Sequence, residues 1–393
     1  MASTMTPAQQ AARMVDSLGP EALAKAEAYT TGNHWLMFAG VAVSVLVALI
    51  IVRLRLLDRI AAQMEKRGLF LSTFTVSAAF LLISTLIALP WTIYTDWHRE
   101  RSYDLSSQPL GDFLGQLAMS EAIGMVLGGL FLAGVYTLIR RTGQRWWLWS
   151  GGFAGGVTLL MLLAGPALID PLFNEYKPVP PGEVRDALEK IADDVGIPHD
   201  RIFLYDGSRQ SDRFTANVSG IGPAARIAIS DVALKEASLD EVRAVTGHEA
   251  GHYQLGHVWR SVVILPIIAM LFFYLLNRLF APTARLLGSD ARLDEPRGLP
   301  AFVVVGSVLS LLVTPFINTL TRVGETEADQ YSLETVNEPE ALATALIKTA
   351  EYRYPRPTAL QEALFYTHPS VEKRVLRAME WKAAHPKASP PNP

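Results

Sequence analysis

The chain has 393 residues, half of them apolar and only 19% charged, and its mean hydropathy of +0.22 excludes an ordinary soluble domain and points to a membrane protein. A net charge of −3 with no basic run interleaved with aromatics excludes nucleic acid as a partner. There is no cysteine, which excludes disulfides, a thiol nucleophile and a thiolate metal site, so any metal must rest on His, Asp or Glu.

In chain order, residues 1–34 form a polar segment with Arg13, Lys25 and several acids and no short apolar core, unlike a secretory signal. Six runs are long and apolar enough to span a bilayer: four within 35–170 (35–52, 71–94, 117–138, 147–169) and two within 261–320 (262–280, 300–320). Trp91, Trp97, Trp146, Trp147, Trp149 and Trp259 stand near their ends, as interfacial anchors do. The polar regions 171–260 and 321–385 are each too small to fold alone and are expected to form one water-facing domain. The Pro-rich end, 386–393, reads as a disordered tail.

Within the first polar region, "EVRDALEKIADDVG" has helical spacing and stops at Gly196. "RIFLYDG" and "ARIAISD" read as short strands around a looser stretch with turn residues Gly220, Gly222 and Pro223, which predicts a hairpin or small sheet. Ser238 and Glu241 form a capping box that opens a helix through "TGHEAGHYQLGH", residues 246–257.

His248 and His252, four residues apart, share one helix face, as two ligands of one zinc must. Glu249 sits where it can take a proton from water at an open coordination position. His257, nine residues past His248, falls on the opposite side of a continuous helix and is read as packing or outer support. That helix is expected to run on through Trp259 into the fifth span. A catalytic zinc takes a third protein ligand, and "TRVGETEADQYSLE" supplies candidates after the sixth span. On a helix Glu325 and Asp329 share a face while Glu327 points away, so Glu325 can ligate and Asp329 can hold a ligand histidine.

These residues resemble the type-1 CAAX prenyl proteases, integral-membrane zinc metalloendopeptidases, with the heat-shock membrane metalloproteases as more distant relatives. "HEAGHYQLGH" resembles the family's zinc helix, "RVGETEAD" its second ligand segment, and "IDPLFNEYKPV" the segment leading into the catalytic region. "FTANVSG" is similar to its edge-strand motif and "YTHPSVEKRV" to its late His-Pro motif. The resemblance implies one Zn2+ per chain on His248, His252 and Glu325, with Glu249 as general base. It further implies His368 as an oxyanion stabiliser, Asn217 and Ala216 on a substrate-pairing strand, and Asp329 and Arg322 in support. The implied fold is a mainly α-helical multi-span membrane protein with a small α+β zinc-metalloprotease domain built from two chain segments. The implied partners are the bilayer and a peptide or protein substrate, lipid-modified or membrane-associated, cut to release a C-terminal tripeptide.

Two features depart from the family: six spans stand where eukaryotic members have seven, and basic residues crowd the loops after the first, third and fifth spans. The positive-inside rule then puts the protease domain outside the cytoplasm, whereas the resemblance puts it on the cytosolic side. Two other readings remain open at this stage. One is a quality-control protease without prenyl dependence; the other is a membrane protein that binds or transports metal without hydrolysis.

Overall fold

The computed structural model describes residues 5–386; most of the expected C-terminal tail lies outside them. An N-terminal helix α1 (Pro7–Asp16), with Thr6 and Gln9 forming a capping box, precedes the long α2 (Gly19–Arg53). Then come α3 (Leu56–Met64), α4 (Leu69–Thr92) and a π-helical turn (Ile93–His98) leading into α5 (Arg99–Ser102). Next are α6 (Leu110–Thr142), α7 (Trp146–Leu168) and α8 (Asp170–Phe173).

Five helical stretches are long and apolar enough to cross a membrane. The third, Leu110–Leu168, has 59 residues, about 88 Å at 1.5 Å per residue and far beyond one bilayer thickness. A 3₁₀ turn at Gly143–Arg145 divides it. Gly143 there has φ 54°, a conformation glycine adopts without steric cost, and α6 and α7 pack on each other. The six expected apolar runs thus all fall on helices. Leu46, Leu86, Val126, Leu160, Ile267 and Leu312 point outward from these helices, as a lipid-facing surface requires. Ile51, Val76, Tyr136, Trp146, Leu276 and Leu299 fill the space between them.

The water-facing part begins with β1 (Tyr176–Pro178) and α9 (Glu183–Val195), which ends on left-handed Gly196. The strands β2 (Ile202–Tyr205), β3 (Ala216–Ser219) and β4 (Arg226–Ser230) complete a sheet of order β1-β2-β4-β3. The two strands expected from sequence, β2 and β4, are parallel neighbours. The hairpin is instead β3–β4, with Asn217 opposite Ala228, and the Gly220–Pro223 turn joins them. β3 therefore arises within the stretch that looked loose, and it is an edge strand.

After α10 (Asp231–Glu236) comes α11 (Leu239–Gln254), opened by the Ser238/Glu241 capping box. Then follow α12 (His257–Leu287), α13 (Leu299–Thr335), α14 (Pro339–Lys348), α15 (Ala359–Phe365) and α16 (Val371–Ala384). Leu188, Ile191, Ile202, Ile227, Ile229, Val242 and Ala250 form a core between the sheet, α9 and α11. A second core joins Ala244 and Leu333 to Leu342, Val371, Val375 and Met379, with Ala11 of α1 packed into it. The N-terminal helix is thus docked on the water-facing part, where Arg356 also holds Asp16 at 2.7 Å.

Candidate active site

Two helices build the site. α11 carries His248, Glu249 and His252, and α13 runs unbroken from its apolar half to Glu325 and Asp329. They approach closely because α11 presents small residues at the contact. A Cβ on Gly251 would lie 3.0 Å from Tyr331 Cβ and 3.2 Å from Ala328 Cα, and one on Gly247 2.4 Å from Val336 Cγ2. Ser332 Oγ crosses the same contact to donate to Ala244 O at 2.7 Å. Gly251→Val is therefore expected to overpack this contact, costing about 1–3 kcal/mol, and to lower metal content per chain; thermal unfolding with elemental analysis reads both.

The expected continuous helix from His248 into the fifth span is not what forms. α11 ends at Gln254, Gly256 takes a left-handed φ of 68°, and α12 starts at His257. A side chain at that φ costs about 1–2 kcal/mol, so glycine marks the break. The break turns His257 back toward His252, and their Nδ1 atoms lie 2.8 Å apart. His257 Nε2 in turn meets Glu327 Oε2 at 2.9 Å, which also accepts from Arg260 at 2.9 Å. Glu327, which faces away from Glu325 as expected, thus supports the site indirectly.

His248 Nε2 lies 3.2 Å from His252 Nε2 and 3.3 Å from Glu325 Oε2, and His252 Nε2 lies 3.4 Å from Glu325 Oε1. Ligand bonds of about 2.0–2.1 Å in tetrahedral geometry set ligand-to-ligand distances near 3.3 Å, so two imidazoles and one carboxylate are spaced as one four-coordinate ion requires. Glu325 Oε2 is buried with no aligned hydrogen-bond donor, a cost that a bound cation removes. The donor set fits a metal, and among the described residues these three lie close enough together to hold one.

Asp329 Oδ1 stands 3.0 Å from His248 Nδ1, off the ideal hydrogen-bond direction, and Arg374 holds Asp329 with two bonds of 2.8 and 2.6 Å. Burial pushes the His248 imidazolium down, but the Asp329 and Glu325 carboxylates beside it outweigh that and hold it up to about 9. Glu249 lines an adjacent cavity of about 240 Å3, with no hydrogen-bond or ion-pair partner among the described residues. Burial raises its carboxyl, and His248 and His252 oppose the rise. His368 enters the same cavity, its Nε2 3.1 Å from Glu325 Oε2. Thr367 Oγ1 lies 2.8 Å from its Nδ1. Burial, with the Arg353 charge beside it, pushes His368 down to about 3, so its ring is neutral.

Arg322 works at one remove. It donates to the carbonyls of Glu362 at 2.9 Å and Ala363 at 3.3 Å, and so ties the end of α15 and the loop carrying His368 to α13. Ala216 lines the cavity, and Asn217 follows it on β3, whose outer edge is unpaired within the sheet. Sequence reasoning gave no role to Arg374, although it lies inside the quoted "YTHPSVEKRV", nor to Arg353.

The sequence profile of Peptidase family M48 matches residues 178–382. The chain belongs to this family. A second profile, the CAAX prenyl protease N-terminal domain with five membrane helices, matches residues 3–175, so family likeness covers nearly the whole M48 chain. An uncharacterized metalloprotease of Bacillus subtilis, YhfN, is 29% identical over 91% of this chain and 86% of its own length. CAAX prenyl protease 1 of Saccharomyces cerevisiae is 26% identical, over 85% and 76%. The crystal structure of Ste24p from S. mikatae superposes with a TM-score of 0.75 over 93% of this chain and 90% of that one, at 22% identity, and shows the same fold. The chain is a multi-pass membrane metalloprotease.

Proposed function

We propose that this M48 member is a zinc endopeptidase acting on peptides presented at the membrane, with removal of a C-terminal tripeptide from prenylated proteins as its reaction. The observation that carries the reading is the set of 3.2–3.4 Å separations among His248, His252 and Glu325, with the unpartnered Glu249 beside them. When bound, one zinc would supply Lewis acidity to the scissile carbonyl and to water.

The chain's own residues do the rest. Glu249 takes a proton from the attacking water and returns it to the leaving amine, a role that burial favours by raising its proton affinity. His368, neutral and facing the same cavity, would donate from Nε2–H to the oxyanion of the tetrahedral intermediate, in the tautomer in which Nδ1 accepts from Thr367 Oγ1. The edge of β3 at Ala216 and Asn217 offers backbone groups to an extended peptide. Asp329 and Arg322 act through His248 and the His368 loop.

The B. subtilis and S. cerevisiae relatives are described as proteases, which leaves the non-hydrolytic reading without support. Prenyl dependence is tested with purified protein and two peptides of one sequence, farnesylated and bare. A kcat/KM at least tenfold higher for the farnesylated peptide is expected. Equal rates would replace this substrate with the quality-control role.

A further inference from the structure

The cavity beside Glu249 is lined by a cation that has no direct anionic partner among the described residues. Arg353 follows the turn at Thr349–Glu351 and lines the cavity with Glu249, His368, Phe214 and Ala216. The other arginines around the site are engaged. Arg374 is bound to Asp329, Arg322 to the carbonyls at the end of α15, and Arg213 to Glu100 at 2.6 Å. Among the described residues the Arg353 guanidinium has no hydrogen bond and no ion pair. The Tyr352 ring lies 5.8 Å from it, and the Glu325 carboxylate acts on it only through space, without an ion pair.

A partly buried charge without a hydrogen-bonded partner loses hydration that a distant carboxylate such as Glu325 offsets only in part. Leu342, Ala345 and Leu346 add apolar surface to the lining of the same cavity. A guanidinium carries planar, forked donors that match a carboxylate bidentately. No ion pair joins it to Glu249, the anion of the same cavity, so it neither lowers the proton affinity of that group by contact nor blocks it. It would also offset the repulsion that Glu249 exerts on an anionic peptide. Both Arg353 and the open edge of β3, through Phe214 and Ala216, border one space.

We propose that Arg353 anchors a carboxylate of the bound peptide, either its free C-terminus or an acidic side chain near the scissile bond. The inference rests on the peptidase reading above and makes Arg353 a specificity-determining residue. It takes no part in the proton transfers.

The test measures equilibrium binding to the full-length Glu249→Gln protein by fluorescence anisotropy, so that no turnover intervenes. Three peptides are compared: one with a free C-terminus, its C-terminal amide, and the amide with a glutamate introduced. A charge-assisted hydrogen bond supports about 10- to 100-fold tighter binding of whichever peptide carries the recognised carboxylate. Preference for the free acid identifies the C-terminus, and preference for the glutamate amide identifies a side chain. Arg353→Gln should abolish the preference, and Arg353→Lys should keep part of it. In the cleaving enzyme the loss should appear in KM for the anionic peptide with kcat little changed, whereas a purely structural role would lower kcat for every peptide.

Equal binding of all three peptides, or a preference that survives Arg353→Gln, overturns the proposal. If Arg353→Gln does not fold, the three-peptide comparison and Arg353→Lys still decide it. Failure of the parent to cleave any peptide would instead sink the peptidase reading, a separate outcome.

Discussion

Glu249→Gln is expected to keep its metal and lose roughly 10³- to 10⁴-fold in kcat, the upper range for removal of a general base. The amide is isosteric and takes no proton at neutral pH. Glu249 has no hydrogen-bond or ion-pair partner to lose among the described residues, so neither unfolding nor metal release should accompany the change. The decisive comparison is kcat with metal content on one purified sample. A fall in kcat that tracked lost metal would show that Glu249 holds the site together and does not serve as its base.

Glu325→Ala is expected to abolish both metal binding and cleavage. It removes the carboxylate from a set of three donors and leaves two imidazoles with an open gap on the α13 side. Loss of a primary ligand exceeds the 10- to 100-fold cost typical of outer partners such as Asp329 or His257. The same site predicts a pH dependence. In the metal-free protein His248 is held protonated up to about 9, and that proton must leave before Nε2 can bind a cation. Apparent metal affinity should therefore fall about tenfold for each pH unit below 9.

The sign for the metal-free fold is the reverse. A raised folded-state value stabilises the fold fully below the ordinary histidine range, and that contribution fades as pH rises through about 9. Chelator competition at several pH values, with thermal unfolding of the metal-free protein, reads both trends.

Much of this was legible in the residues because the chemistry demands fixed spacings. Four residues from His248 to His252, and four from Glu325 to Asp329, are helix-face relations that hold wherever the helix forms. The apolar runs announce the spans, and the capping box at Ser238 and Glu241 announces the start of α11. Gly256 was equally visible, since glycine after a periodic segment is a helix stop. Treating the segment as continuous moved His257 to the wrong side, and the αL residue brings it to His252 instead.

Other features depend on long-range packing and leave no local mark. The parallel pairing of β2 with β4, the emergence of β3 from a turn-rich stretch and the docking of α1 on α16 are of this kind. So is the meeting of Arg353 and Arg374 with residues more than a hundred positions earlier in one cavity.

The most direct measurement is zinc-edge X-ray absorption on the purified full-length protein, with metal per chain counted in parallel. The account predicts about one zinc per chain, surrounded by four nitrogen and oxygen atoms at about 2.0–2.1 Å, two of them showing the outer-shell scattering of imidazole. Loss of one imidazole signal in His252→Ala would complete the assignment. A parent protein that binds no metal at neutral pH, or whose metal shows six oxygen neighbours and no imidazole, would contradict it.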